Sequence, residues 1–459
     1  MTLTPAELQR KLVHIGVGGF ALLLRGLTWP QAALLALAAF VFNWLVLPRI
    51  GGRHLWRGPE RAAGHARGIL LYPLSVLALV LFFHSDEDLW KVAAVWAVLA
   101  FGDGMASVVG LAVGGPRLAW NPSKGWSGLC AFVTFGTLGA GILTAWTLHL
   151  PLAAAFDGRT LALVLPLTLV CALVESVPTT LDDNLTVPLV GGVFLALTAP
   201  VEWRPLLESP ELGPRAALGL GVNTMIGAAA FAARSIDLAG AISAVAIGTA
   251  ITVGLGWPGL TLMIVFFVVG SGVTRLGYRI KAARGIAQEK GGARGWRNAW
   301  ANGGVPAFLA LLAGAGAAAG PGASGDRPAW LIFTLAYAAS VATAAADTCS
   351  SEIGKAYGRR TFLITTFKPV PPGTEGAISL AGTLGGLAGA ALVAFAAREV
   401  GLLDWRGGAA VAVAGLLGSL AESLIGTVAE RRGWLNNDLL NALNTAIGGG
   451  LAPVIGGLL

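Results

Sequence analysis

Long apolar runs separated by short polar loops fill this chain, the pattern of helices that cross a bilayer rather than of half-buried helices on a soluble core. A spanning helix needs about 20 mostly apolar residues. In the first half such runs lie near residues 12–27, 30–47, 68–83, 89–115, 125–148, 161–177 and 187–201. After a polar stretch they resume near 215–233, 238–255, 259–276, 299–319, 330–348, 376–397, 409–429 and 439–458. The expected fold is all-α: a polytopic membrane protein of about 15 transmembrane helices. Two tandem, parallel-related bundles, residues 1–201 and 215–459, are expected on either side of a linker at 202–214. Glycine, with 65 residues, suits close helix contact in lipid, where packing joins helices.

Composition sharpens this reading. The chain is 55% hydrophobic and 12% charged, with a mean hydropathy of +0.72; soluble domains carry about 25% charged residues. Soluble and disordered classes are excluded. The net charge of +7 is scattered over short loops, which argues against a nucleic-acid partner. With the N-terminus in the cytoplasm and alternating sides, 23 of the 31 Lys and Arg face inward, as the positive-inside rule requires. The basic loops at Arg49–Arg67, Arg275–Arg297, Lys355–Lys368 and Arg431–Arg432 thus read as topology signals of a multi-pass cell-membrane protein. The N-terminal run has no small-residue cleavage site after it and reads as a retained span. Cys130, Cys171 and Cys349 sit in or beside apolar runs and read as small core residues.

A charge near the membrane centre costs at least about 2.5 kcal/mol, so intramembrane acids need a reason. Here they recur in order. Asp103 is followed by Ser107 and Gly110, and Asp347 by Ser351 and Gly354 at the same offsets, on one helix face in each case. Gly125 and Gly128 are answered by Gly373 and Gly376, and Gly136-Thr-Leu-Gly139 by Gly382-Thr-Leu-Gly385. Glu175-Ser176 is answered by Glu422-Ser423, and Asp182-Asp183-Asn184 by Asn436-Asn437-Asp438. The ordered set predicts an internal duplication. Counting spans makes the halves parallel, with every motif loop on the cytoplasmic face, whereas inverted repeats would suit a transporter. Arg10 and His14 stand at the mouth of the first span, where interfacial anchoring is a sufficient reason for the arginine. Asp86-Glu87-Asp88 reads as a solvated loop.

Clustered carboxylates suit Mg²⁺, which takes one or two of them together with substrate phosphates. Lys124, Lys355 and Lys368 can meet phosphate charge, and nearby glycines let backbone N–H groups approach it. No Gly-x-x-x-x-Gly-Lys-Ser/Thr tract and no kinase catalytic loop occurs. The chemistry expected is metal-assisted phosphoryl transfer at the membrane surface. A secondary transporter and a purely structural membrane protein are the readings of another class.

Two family resemblances add to this. Arg10-Lys11-Leu-Val-His14-Ile-Gly16, Gly102-Asp103-Gly-Met-Ala-Ser107, Lys124-Gly-Trp-Ser-Gly128 and Glu175-Ser-x-Pro-x-x-x-Asp182-Asp-Asn-Leu-Thr-Val-Pro188 resemble the polyprenol kinase family, which includes phytol and dolichol kinases. That likeness covers roughly residues 5–200. The second half resembles the family of transmembrane protein 19 and phytyl-phosphate kinase. It does so through Arg297-Asn-Ala-Trp-Ala-Asn302, Ala346-Asp347-Thr-Cys-Ser-Ser351-Glu352-Ile-Gly354, Lys368-Pro-Val-Pro-Pro-Gly373-Thr374-Glu-Gly376, Glu422-Ser-Leu-Ile-Gly426 and Asn436-Asn437. Cys349, Glu375 and Glu422 depart from the second family's usual aromatic, Asn and Asp.

The resemblance implies a fusion of two kinases. One would phosphorylate an isoprenoid alcohol such as phytol, farnesol or geranylgeraniol from CTP, and the other would convert the monophosphate to the diphosphate. In the first site Asp103 and Glu175, with Asp182 or Asp183, are expected to hold Mg²⁺ and the nucleotide, one of these acids taking the alcohol proton. Lys124, Ser107 and Asn184 are expected against phosphate. In the second site Asp347, Glu352, Glu422 and Asp438 are expected in metal or base roles, and Lys355, Lys368, Thr374, Ser351 and Asn437 on phosphate. A membrane cytidylyltransferase acting on a lipid phosphate is the nearest alternative; no Pro-Gly-His-Gly-Gly tract is present.

Overall fold

Apolar runs of this length become helices because only a helix bonds all its backbone groups within one segment, as lipid demands. The computed structural model describes residues 5–50, 56, 66–287, 294–320, 329–430 and 432–458. Most of the Arg49–Arg67 loop, Lys290 and Arg431, all read above as topology signals, lie outside the described residues. The protein is an all-helical polytopic membrane protein. It divides into two units, Met1–Pro200 and Val201–Leu459.

The first unit contains α1 (Pro5–Gly18), α2 (Trp29–Val41), α3 (Arg67–Phe83) and α4 (Leu89–Ala97), then a widened π turn (Val98–Asp103) and α5 (Gly104–Val113). A hairpin of β1 (Arg117–Leu118) and β2 (Asn121–Gly125) leads to α6 (Trp126–Thr147), α7 (Gly158–Ser176) and α8 (Asp183–Thr198). Helix α6 is central, packing on α4, the π turn, α5 and α7.

The second unit opens with the short α9 (Arg204–Leu207), α10 (Leu212–Ala232), α11 (Leu238–Arg275), α12 (Tyr278–Ala283) and α13 (Trp296–Ala319). It continues with α14 (Ala329–Tyr357), the antiparallel pair β3 (Thr361–Leu363) and β4 (Ala377–Ser379), α15 (Leu380–Glu399), α16 (Trp405–Ala429) and α17 (Asn437–Leu458). Its centre is α14, whose stretch from Tyr337 to Ala346 is wholly buried among α11, α13, α15, α16 and α17. The stretch 202–214 is not bare linker: Leu206 of α9 is buried and α9 packs on α13.

Eleven helices among the described residues are long and apolar enough to span a membrane, against about 15 runs expected from hydropathy. The difference has local causes. Helices α3 and α8 are apolar but short, at 17 and 16 residues. The run at 12–27 is broken, α1 ending at Gly18 and giving way to a 3-10 segment, Gly19–Gly26. The runs at 238–255 and 259–276 are continuous as α11, kinked at Gly256, whose φ of 62° falls in the left-handed region.

Glycine contacts set how closely the helices approach. In the second unit, a Cβ on Gly254 of α11 would stand 2.1 Å from the carbonyl oxygen of Ala310, and one on Gly314 of α13 would stand 2.5 Å from that of Gly254. The obstacles are backbone, so Gly254→Val must part the two helices. We expect a loss of about 1–3 kcal/mol, seen as a lower midpoint of thermal unfolding in detergent. Gly221→Val, where a Cβ has open space, should leave it unchanged.

Candidate functional site

In the first unit, the π turn carries Asp103 into the protein interior; such turns recur at functional sites. Gly104, next in sequence, allows α1 close: a Cβ there would lie 2.4 Å from Ile15 Cγ1. The close approach brings Lys11 and His14, one turn apart on α1, onto the acid. Lys11 Nζ donates to Asp103 Oδ2 at 3.1 Å, and His14 Nε2 lies 3.4 Å from the same oxygen and 3.0 Å from the Leu99 carbonyl. Tyr72 meets the His14 ring edge-on at 4.8 Å and is itself fixed by Trp96, whose Nε1 donates to the Tyr72 hydroxyl at 3.0 Å.

The β1–β2 hairpin delivers Lys124. Trp120 Nε1 donates to Ser176 Oγ at 2.9 Å and Asn121 Nδ2 to the Ser176 carbonyl at 2.9 Å, tying the hairpin to the end of α7. Lys124 Nζ then donates to Glu175 Oε1 at 2.5 Å and to the Glu175 carbonyl. The neighbouring acids divide their work. Asp182 caps α8, accepting from the Asn184 N–H at 3.0 Å and from Asn184 Nδ2 at 2.7 Å, whereas Asp183 joins Asp103 and Glu175. Carboxylate oxygens of Asp103, Glu175 and Asp183 lie within 4.8 Å of one another. Asp103 and Glu175 are buried.

At about 5 Å, two like charges repel by about 3 kcal/mol at an effective dielectric of about 20. Three carboxylates therefore need positive charge among them, which Lys11 and Lys124 supply here. An all-oxygen donor set of this kind fits a hard divalent cation. Ser107, one turn beyond Asp103, is half-buried.

The second unit pairs its acids differently. Asp347 of α14 and Glu422 of α16 share a side-chain hydrogen bond, an arrangement that needs a proton or a cation between two carboxyls. Glu352 is turned away to Lys281 of α12, a fully buried lysine that also donates to the Thr274 carbonyl at 2.7 Å. Arg294 approaches Asp347 and Glu352 electrostatically; its Nη2 is 3.4 Å from Thr274 Oγ1, and Gly270 leaves room for its guanidinium. Lys355 acts on both Asp347 and Glu422.

Other expected residues stand apart. Thr374 spends its hydroxyl on the Pro371 carbonyl at 2.8 Å, and Lys368 and Asn437 are exposed. Asp438 has Arg297 as its charged neighbour, and Ser351 is half-buried beside Ser350, whose hydroxyl bonds the Asp347 carbonyl at 3.0 Å. Among the described residues, only the first unit gathers three acids at metal-holding distance. Two of the glycines expected near phosphate also sit at close packing contacts. A Cβ on Gly128 would meet the Ala106 carbonyl at 3.0 Å, and one on Gly376 would strike Thr427 Oγ1.

Sequence reasoning gave no role to Lys11, Lys281 or Arg294. The last two belong to a basic loop that reads as a topology signal, and nothing in their spacing separates an inward cation from an exposed one.

Outside the spans, Glu375 of the β3–β4 loop hydrogen-bonds Glu430 at the end of α16. Burial and the neighbouring Glu375 charge push the Glu430 carboxyl up to about 7. A carboxyl raised in the folded state favours folding while protonated, and that contribution is lost as pH rises through about 7. We expect the unfolding midpoint to drop between pH 4.5 and about pH 7 in the native protein, with little further change above that, and to drop less in Glu430→Gln.

Comparison with known proteins places the molecule. The integral membrane protein family DUF92 matches residues 221–449. An uncharacterized membrane protein of Synechocystis is 41% identical over 207 residues, which are 45% of this chain and 77% of that one. The chain belongs to the DUF92 family of integral membrane proteins. The DUF92 match lies wholly within the second unit. Protein VTE6, chloroplastic, of Arabidopsis thaliana is 37% identical over 219 residues, 46% of this chain and 63% of that protein. A phytol kinase of Synechocystis is 29% identical over 212 residues, 44% of this chain and 84% of its own length. No solved structure matches the chain.

Proposed function

We propose that this DUF92 protein is a membrane kinase that converts an isoprenoid alcohol first to its monophosphate and then to its diphosphate, with CTP as donor. The observation that carries the reading is the group of buried Asp103 and Glu175 with half-buried Asp183, ringed by Lys11, His14 and Lys124 within an apolar helix bundle. Acids placed there without a ligand would be costly. The relatives named phytol kinase support the class of reaction.

In this reading, Asp103, Glu175 and Asp183 would hold Mg²⁺, which when bound neutralises phosphate charge. Lys124 leaves Glu175 to meet the transferred phosphoryl group. One carboxylate of the group takes the proton of the attacking hydroxyl as its oxygen bonds to the terminal phosphorus and CDP departs. The prenyl chain enters sideways from the acyl region, and the nucleotide arrives from the cytoplasm, where we place the motif loops. Asp347 and Glu422, with Lys355 and Arg294, would serve the second transfer. The recurrence of one element order in both units supports an internal duplication: an acid-bearing helix, a hairpin, two helices of which the second bears Glu-Ser, then an N-capped helix.

The test is to incubate the protein in nanodiscs with labelled CTP, Mg²⁺ and phytol, farnesol or geranylgeraniol, and to identify the products. A kinase releases CDP and yields lipid mono- and diphosphate. Pyrophosphate with a CDP-linked lipid would establish a cytidylyltransferase instead, and solute uptake without nucleotide turnover a transporter.

A further inference from the structure

Asn444 lies in the middle of α17, fully buried, and among the described residues neither its Nδ2 nor its Oδ1 has a hydrogen-bond partner. A buried carboxamide with both ends unbonded carries a desolvation cost that a bound ligand would remove. Helix register shows which residues it is level with. Along α16 and α17, Gly426 meets Leu440 and Gly418 meets Gly448, so the helices run antiparallel. Glu422 lies midway between those glycines, and Asn444 midway between Leu440 and Gly448, so the two are level. On α14, Thr343 meets Gly448 and Leu335 meets Gly456. Asp347, one turn beyond Thr343, therefore also comes level with Asn444. The carboxamide is at the height of the hydrogen-bonded Asp347–Glu422 pair.

The first unit lacks this group. Helix α8 is capped by Asp182, and α17 by Asn436, whose Oδ1 accepts from the Leu439 N–H at 2.9 Å. Eight residues after the cap stands Val190 in the first unit and Asn444 in the second. A hydrocarbon side chain suits a site that takes a lipid alcohol. A donor and an acceptor suit one whose lipid substrate already carries phosphate.

We propose that Asn444 recognises the phosphate of a prenyl monophosphate in the second unit, Nδ2 donating to a phosphate oxygen while Oδ1 and the two acids face the divalent cation that accompanies it. This rests on the two-step reading above and deepens it by assigning the residue that separates monophosphate from alcohol.

The test is a calorimetric titration of geranylgeranyl monophosphate, with Mg²⁺ present and no nucleotide, into the full chain in nanodiscs. Asn444→Leu should weaken binding at least about tenfold, leave the unfolding midpoint unchanged or higher, and leave conversion of alcohol to monophosphate intact. Asn444→Asp keeps an oxygen ligand but loses the donor. It should weaken monophosphate binding as much, yet bind Mn²⁺ as tightly as the native chain, and it carries the test if the leucine variant does not fold. Unchanged monophosphate affinity in the folded variants would overturn the assignment. So would a native chain that binds no monophosphate, or a lower midpoint with affinity intact, which would mark Asn444 as a structural residue satisfied by trapped water. Because binding is read without turnover, an inactive protein whose monophosphate affinity still depends on Asn444 would refute the kinase reading and not this one.

Discussion

Asp103→Asn is expected to reduce formation of isoprenoid monophosphate more than about 100-fold, beyond what loss of a supporting residue around a metal typically costs. The amide keeps the shape of the side chain but removes one of the three charges gathered with Glu175 and Asp183, and it leaves Lys11 without its ion pair. A neutral oxygen at that position holds a divalent cation far less well, so nucleotide and metal affinity should fall together. Glu87→Gln, at an exposed acid in the 3-10 turn Asp86–Asp88 of the same unit, should match the native rate. Product analysis with labelled CTP checks both, and an Asp103→Asn variant that makes monophosphate at the native rate would remove Asp103 from the chemistry.

The second large effect belongs to Asp347→Asn. Here the alcohol should still be phosphorylated, while diphosphate formation falls by about 100-fold or more, so monophosphate builds up over the time course. The reason is the pairing of Asp347 with Glu422, the one acid pair in direct contact at the core of the second unit among the described residues. Equal loss of both products would show that the units do not divide the reaction. Supplying the monophosphate directly to Asp103→Asn separates the steps from the other side, since diphosphate should then form at the native rate.

Much of this was legible in the sequence, for a physical reason. Bilayer burial imposes long apolar runs, so an acid such as Asp103, Glu175, Asp347 or Glu422 stands out against them. The same contrast is blind to what surrounds the acids. Lys11 and Lys281 belong to basic stretches at span ends, where topology alone accounts for charge, and only the folded path of α1 and α12 turns them inward. Asp182 and Asp183 are adjacent and alike, and whether one caps a helix while the other joins a site depends on where α8 begins. Glu352 shares the α14 motif with Asp347 yet is engaged by Lys281. A sequence cannot separate a glycine that admits a ligand from one that admits a helix, and Gly128 and Gly376 do stand at close helix or loop contacts. Asn444 is not legible in the sequence, since one neutral amide in an apolar run carries no charge to draw notice. The kink at Gly256 joins two runs that hydropathy separates.

The most direct measurement of the central claim is pulsed electron-nuclear resonance of Mn²⁺ bound to the full chain in nanodiscs with CTP, read for phosphorus coupling. The account predicts bound Mn²⁺ coupled to nucleotide phosphorus, with the coupling diminished in Asp103→Asn and Glu175→Gln. Coupling of native strength in both variants, or none in the native protein, would contradict it.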